Sequence, residues 1–507
     1  MYKESIKASM IEGNSNIENT LHKRSVKRYN APNLWHNQFL DNVVNQIDES
    51  IFRPLFNANM GAPNIPIRQL IGINILKEGF GISDEQMFDQ VQFHLLVRKA
   101  LGITQTDDPG PSIEVYYLFR RRLIEHELET GIDLYKLCFE SITKSQVMKY
   151  KVEGKSIRMD SKLIGSNIAW YSRFQIVHET ILMCAKHLSI KQLHCLRKED
   201  RATYLTLMTE PAQQLVYTET SECIEKRLSD LGYLMYALLK HFPGLLPHYD
   251  LLERVFNEQF IVDKKIVRPR DKKDISAKSV QNPHDPDATF RRKEEQKVKG
   301  YSTNLTETCD DNSLNLITNV QTKNVSAPDN GFLEKAITDS QENVLSGKIN
   351  NVHADGAYHS LDNQIFATKE QIELYLTGMQ GKPPRYTLIE TEQGLQVTDT
   401  QTSEVQIAHK TKNESWGIKT EKGYRYFTQK DIDAAILRKE LKNIPPKKKK
   451  KRNNVEATVF QYSFHTRNNK TRYRGLIKHK IFAFARCLWV NLVRITNYEI
   501  KICQGAL

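Results

Sequence analysis

Ser156-Ile157-Arg158-Met159-Asp160-Ser161-Lys162-Leu163-Ile164 is the stretch at which the hydropathy period of this 507-residue chain changes. Upstream, apolar residues recur at helical spacing; from about residue 151 they alternate, which is the period of a strand. Asp160 stands in that run. A second strand-like run, Ile349-Asn350-Asn351-Val352-His353-Ala354, leads into Asp355 and then Gly356-Ala357-Tyr358. A third acid, Glu456, opens an apolar-periodic segment directly behind the most basic stretch of the chain. A lone Asp at a strand end is ordinarily a turn or cap residue. Three carboxylates brought together by a fold would instead hold divalent metal ions.

Before this strand, Ile67, Leu70, Ile71 and Ile75 mark one helical face that Gly79 and Gly81 end. Ser83-Asp84-Glu85-Gln86 is a capping box leading into Met87, Phe88, Val91 and Leu95. Pro109-Gly110-Pro111 is a turn, and Tyr116, Phe119 and Leu123 continue the pattern beside Arg120-Arg121-Arg122. Short helices with an arginine cluster suit a DNA-binding bundle or, equally, a helical domain with a solvated charged face. Residues 1–50 look irregular or weakly helical.

After the first strand, helical spacing returns from about 165 to 262 (Leu228, Leu231, Met235, Leu238, Leu239), followed by a basic, Pro-punctuated linker to Pro286. Strands are then expected at 299–307 and 314–321, a helix near 331–341, a strand at 349–354, a helix near 360–369 and a strand at 371–376. Residues 384–428 alternate again, and helices are expected at about 454–464 and 475–495, where Phe482, Phe484, Leu488, Trp489 and Leu492 form a core stripe. The order β-β-β-α-β-α-β, interrupted after its first strand, is that of an RNase H-like core. The expected fold class is therefore α/β: an RNase H-like mixed-sheet core with a helical N-terminal domain, a helical insertion after strand 1 and a β-rich insertion before the last helices. The boundaries are 1–50 (flexible N-terminal region), 51–148 (helical DNA-binding domain), 149–164 (core, first part), 165–295 (helix-rich insertion and linker), 296–383 (core, second part), 384–445 (β-rich insertion) and 446–507 (basic C-terminal helices completing the core).

In such a sheet the first and fourth strands are neighbours, so Asp160 and Asp355 meet at one edge, and Glu456 on a helix crossing that edge completes the set. Hard oxygen ligands with open positions select Mg²⁺ or Mn²⁺. Two such ions about 4 Å apart serve in-line displacement at phosphorus. The charge distribution agrees with a phosphate substrate. All of the +13 net charge lies between Arg438 and Lys480, where 15 Lys and Arg face two acids; the rest of the chain balances. A local basic stripe is the footprint of a polyanion-binding surface. The run Lys447-Lys448-Lys449-Lys450-Lys451-Arg452, read alone, is also a solvated loop or an import signal. Because it leads into the Glu456 helix, phosphate contacts beside the site are the favoured reading, extended by Arg472, Arg474 and Lys478.

Other chemistries are poorly supported. The seven cysteines show no CxxC pair or metal-ligand spacing, which suits reduced thiols. Gly154-Lys155-Ser156 is not a phosphate loop, because Lys149 stands where that motif needs its first glycine. No apolar run reaches membrane-spanning length and Met1–Thr20 has no signal-peptide core, so a protein without membrane contact is expected.

Several of these motifs resemble the DDE-type transposases of bacterial insertion sequences, over about Gly61 to Ile495. Gly61-Ala62-Pro63, the Ser83-Asp84 helix entry and Phe119-Arg120-Arg121-Arg122 look like that family's N-terminal domain. Arg158 to Asn167 looks like its first-Asp motif, and Ala354-Asp355-Gly356-Ala357-Tyr358-His359-Ser360 resembles its second. Asn454-Val455-Glu456, followed by Arg472-Tyr473-Arg474-Gly475 and Asn491-Leu492, is similar to its C-terminal signature. In a related signature Arg452 stands in place before the Glu, whereas Lys449 replaces a Tyr and Ser463 a Lys. His284-Asp285-Pro286-Asp287-Ala288 is similar to a further family motif, with Asp287 either near the site or in Asp-Pro turn chemistry. The resemblance implies metal-dependent cleavage and strand transfer of double-stranded DNA at terminal inverted repeats. It also implies a homodimer on DNA and a bacterial cytoplasmic, nucleoid-associated location. The alternatives are a catalytically inactive DNA-binding regulator, or an RNase H-like nuclease without strand transfer.

Overall fold

The computed structural model describes residues 1–5, 16–57, 63–378, 384–411, 414–421 and 423–504; Gly61 and Ala62 of the Gly-Ala-Pro motif lie outside them. The N-terminal part is helical: α1 (Ile17–Thr20), α2 (Lys23–Tyr29), α3 (Trp35–Asn42), α4 (Ile67–Phe80), α5 (Asp84–Phe93), α6 (Leu95–Ala100), α7 (Ile113–Thr130) and α8 (Leu134–Tyr150). α4 is buried on every face from Ile67 to Gly79, the signature of a helix at the centre of a core rather than on its surface. Gly81, left-handed at φ 70°, closes it. Gly79 lies inside its last turn because the Trp489 ring packs where a Cβ would stand. The Ser83 capping box forms as read, with reciprocal bonds between Ser83 and Gln86.

The stretch read as a flexible N-terminal region contains α3, and its Phe39, Val43, Val44 and Ile47 belong to the same core as α4. These apolar residues sit among polar neighbours such as His36, Asn37, Gln38 and Asn42, all buried and hydrogen-bonded. The mixed composition hides the helix from a hydropathy reading.

β1 (Ser156–Gly165) begins five residues later than expected, after Gly154 turns the chain at φ 72°. The insertion follows as α9 (Arg173–Ala185), α10 (Ile190–His194), α11 (Lys198–Thr209), α12 (Ala212–Thr218), α13 (Ser221–His241) and α14 (Tyr249–Gln259). It has its own core, including Phe174, Val177, Leu234, Leu238 and Val255. A hairpin then spans the boundary between the helix-rich stretch and the linker: β2 (Phe260–Asp263) stands where the helical spacing was expected to end, and β3 (Ile266–Pro269) lies in the stretch read as a linker.

Five further strands complete the sheet around β1: β4 (Thr289–Lys293), β5 (Gln296–Thr308), β6 (Ile317–Asn324), β7 (Asn351–Ala354) and β8 (Glu373–Leu376), with α15 (Leu333–Asn343) before β7 and α16 (Leu361–Lys369) before β8. β5 runs antiparallel to β1, with Arg158 opposite Glu307 and Asp160 opposite Leu305. β7 runs parallel along the other side of β1, and β8 parallel to β7. β5 pairs on its outer edge first with β4 and then with β6. The sheet is mixed, with order β6-β5-β1-β7-β8 and β4 flanking the start of β5.

Side chains of β1 alternate between two cores. Ile157 and Met159 join Val352 and Ala354 of β7 and Leu333, Ala336 and Ile337 of α15. Ile164 joins Leu305, Ile317 and Val320 in the core shared with the N-terminal helices.

An antiparallel five-stranded meander follows, β9 (Tyr386–Thr391), β10 (Gly394–Asp399), β11 (Val405–Lys410), β12 (Trp416–Thr420) and β13 (Gly423–Phe427). The expected β-rich insertion ends there, because α17 (Gln429–Asn443) is a helix whose Ile432 packs on the meander. α18 (Pro446–Ser463) and α19 (Leu476–Cys503) end the described chain. α19 lies between α4 and β6, which makes the N-terminal helices and one face of the sheet a single core.

Candidate active site

Asp160 lies on β1 on the face turned to α18. The parallel register that sets Arg158 opposite His353 brings Asp355, just past the end of β7, level with Asp160. Asp355 caps the turn Gly356–Tyr358, its Oδ1 accepting from the Gly356 amide at 2.6 Å and the Thr377 hydroxyl at 3.2 Å. The other Asp355 oxygen faces the crossing helix.

That helix begins earlier than expected. Lys447 to Arg452 are its first turns, with Pro446 at the opening position that tolerates proline. α18 therefore carries Arg452 and Glu456 one turn apart. Arg452 Nη2 donates to Asp160 Oδ2 at 2.9 Å and stands 4.0 Å from Asp355 Oδ2, while Nη1 reaches Glu456 Oε1 at 3.1 Å. One guanidinium thus gathers all three carboxylates. The Asp160 side chain is 18% exposed, against 44% for Asp355 and 63% for Glu456, so the set opens from a sheltered floor to solvent. Burial pushes the Asp160 carboxyl above its usual range; Arg452 and the Ser161 amide oppose this, and Asp355 adds to it.

Beneath the site is a buried ionic cluster with no counterpart in the sequence reading. Glu307 is fully buried. It accepts from Arg158 Nε, from Arg494 Nη1 at 2.7 Å and from the Thr458 hydroxyl at 2.6 Å. Arg158 Nη1 also donates to the Lys451 carbonyl at 3.3 Å. Burial alone would raise the Glu307 carboxyl; Arg494 and Arg158 overcome it and hold the group below its ordinary value. The cluster fastens α18 and α19 to β1 and β5. Its signal in the sequence was an acid in a strand of buried polar residues (Thr303, Asn304, Thr306, Glu307, Thr308).

The residues read as DNA-binding divide. Arg120 is not at the surface: its guanidinium lies between the Tyr116 and Tyr473 rings and near Asp84, with 14% of the side chain exposed. It helps fill the polar joint between α4, α7 and the segment before α19. Arg121 is exposed, and Arg122 lies over the Phe56 ring. Lys447, Lys448 and Lys450 are exposed and Lys449 half-buried. Lys448 also pairs with Glu373 and covers the Tyr375 ring, and Lys451 pairs with Asp311 at 3.0 Å. Arg472, Arg474 and Lys478 are exposed, with Arg474 Nε donating to the Asn167 carbonyl at 2.6 Å.

In the His284–Ala288 motif it is Asp285, not Asp287, that is buried. Asp285 accepts from the Ser166 hydroxyl, from the Tyr301 hydroxyl at 2.5 Å and from the Gly475 amide at 2.9 Å, joining the end of β1, the middle of β5 and the α19 entry. Asp287 is exposed.

Residues 30–122 match the model of a family described as Transposase domain (DUF772). The match runs from the end of α2 into α7 and supports a transposase. It stops before β1, so the three carboxylates lie outside it. No curated protein and no solved structure matched the chain. Among the described residues no helix is long and apolar enough to cross a membrane.

Proposed function

We propose that this protein is a DDE-type transposase with an RNase H-like core, cutting and rejoining DNA at terminal inverted repeats. The observation that carries the reading is the convergence of Asp160, Asp355 and Glu456 on Arg452. Supporting it are the sheet order, with two parallel strands presenting the aspartates at one edge, and the exposed lysines on the helix that bears Glu456.

The donor set fits Mg²⁺ or Mn²⁺ in kind: three hard carboxylates already collected around one positive charge. Their spacing suits a guanidinium; among the described residues no three such groups stand close enough to enclose an ion. Asp160, Asp355 and Glu456 would hold the metal, the last two having the exposure to close in. Bound there, divalent ions would activate the attacking hydroxyl and stabilise the leaving oxygen. Arg452 holds Asp160 and Glu456 in place, and the Glu307 cluster fixes the helix that carries both Arg452 and Glu456. The lysines of α18 and Arg472, Arg474 and Lys478 would hold phosphates on either side, with the protein pairing as a homodimer on DNA.

A plasmid carrying this coding region with its flanking DNA, incubated with the full chain and Mg²⁺, tests the reading. Nicked and joined products from the wild type and neither from Asp160→Asn are expected. Arg452 seated among the carboxylates favours a second reading, a DNA-binding regulator without cleavage. Binding without nicking in the wild type would establish it, and nicks without joined products would point to a nuclease.

A further inference from the structure

The C-terminal end of α18, with Phe460 in its last turn and Phe464 as the residue that caps it in helical conformation, carries a feature that phosphate chemistry does not use. Phe460 and Phe464 are 63% and 61% exposed, their rings edge-to-face at 5.6 Å. They follow Arg452 and Glu456 at successive four-residue steps, so the four residues form one stripe along the helix and onto its C-cap. Each such step turns about 40° around the axis. The stripe therefore climbs from Arg452, close to the sheet, to the two rings in solvent, while Val455, Thr458 and Tyr462 stay buried.

An isolated exposed apolar side chain needs no explanation. Two phenylalanines one turn apart, beginning one turn from Glu456, form a continuous apolar edge. The charge of the segments before and after them identifies the occupant. Exposed Lys447, Lys448 and Lys450 lie on the same helix before the rings, and exposed Arg467, Arg472 and Arg474 lie in the segment after them. A protein partner for an apolar edge flanked this way would have to be strongly acidic. DNA supplies the charge through its backbone and the apolar surface through its bases. Apolar side chains inserted at a base step unstack it, and aromatic rings stack on exposed bases whatever their sequence.

We propose that Phe460 and Phe464 form a wedge that contacts unstacked bases of DNA held across α18, next to the phosphate presented to Asp160, Asp355 and Glu456. This rests on the transposase reading for where the DNA lies; the wedge itself requires only DNA binding. Base contact would draw the strands apart beside the scissile bond and favour DNA that is already unpaired, in which the cost of unstacking has been met.

The test compares binding of the full chain, without divalent metal, to a mixed-sequence duplex and to the same duplex with a short unpaired fork. The wild type should prefer the fork by about tenfold, the scale of one aromatic–base stack. Phe460→Ala/Phe464→Ala should abolish that preference while leaving duplex affinity and its salt dependence unchanged. Both side chains are exposed, so the substitutions should fold normally, and an unchanged melting temperature would confirm it. A wild type with no fork preference, or a variant that keeps it, overturns the wedge. So does a variant that loses self-association in sedimentation while its fork preference persists, which would make the edge an interface between copies. No binding to either DNA would overturn the transposase reading as well.

Discussion

Arg452 donates to Asp160 across 2.9 Å, tying a helix near the end of the chain to the first strand of the sheet by opposite charge. The same guanidinium reaches Glu456 through its other terminal nitrogen. Arg452 is therefore the geometric centre of the candidate site, and its planar fork lets it hold two carboxylates on different elements at once.

Arg452→Ala leaves three neighbouring carboxylates without their shared counter-charge. DNA nicking should fall about hundredfold or more, the scale of losing one preorganised electrostatic contact. Arg452→Lys keeps the charge and loses the fork, so it should restore only part of the rate. Nicking rates of the two variants, normalised to folded protein, check this.

Glu307→Gln should destabilise the protein by about 3–5 kcal/mol, because Arg158 and Arg494 are left buried without their partner. Its effect on pH dependence has a definite sign. The folded-state pKa of Glu307 lies below its unfolded value. Its contribution to stability is therefore present above the unfolded value and lost as pH falls through the folded one. Denaturant unfolding from pH 6 downward should show a steep acid limb in the wild type and a shallower one in Glu307→Gln.

Replacing Lys447, Lys448 and Lys450 by alanine should weaken DNA binding and reduce the slope of log affinity against log salt by up to about 3, one per lost phosphate contact. Stability should rise or hold, since cations in the first turn oppose the helix dipole. Salt-dependent binding and thermal unfolding of the same variant separate a phosphate-binding run from a solvated one, for which the slope would not change.

Asp285→Asn should lower stability by about 1.5–3 kcal/mol, the scale of hydrogen bonds to a charged group, because Ser166, Tyr301 and Gly475 all donate to it. Asp287→Asn, at an exposed position, should change it by less than about 0.5 kcal/mol. Paired denaturation curves distinguish the two.

The strands bearing Asp160 and Asp355 were legible because an acid stands within one alternating run and directly after the other, and the Ser83 cap because side-chain capping is local chemistry. The hairpin β2–β3 was not, since its turn is Lys264-Lys265, both at positive φ, in place of the Asn-Gly that usually marks such turns. The helical state of the lysine run was hidden by its uniform polarity, which gives no period. Arg120 was misplaced because sequence cannot say that Tyr473, distant in the chain, supplies the second ring that buries it. Glu307 escaped notice for the same reason: its partners come from three separate segments.

The most direct test is nicking of DNA carrying the flanking ends of this gene by Asp355→Asn beside the wild type, in Mg²⁺, with binding to the same DNA measured in parallel. Asp355 is exposed enough that the substitution should leave the fold intact. The expected result is nicking reduced by about a thousandfold or more with binding unchanged. Nicking by Asp355→Asn at the wild-type rate would contradict the assignment of the three carboxylates.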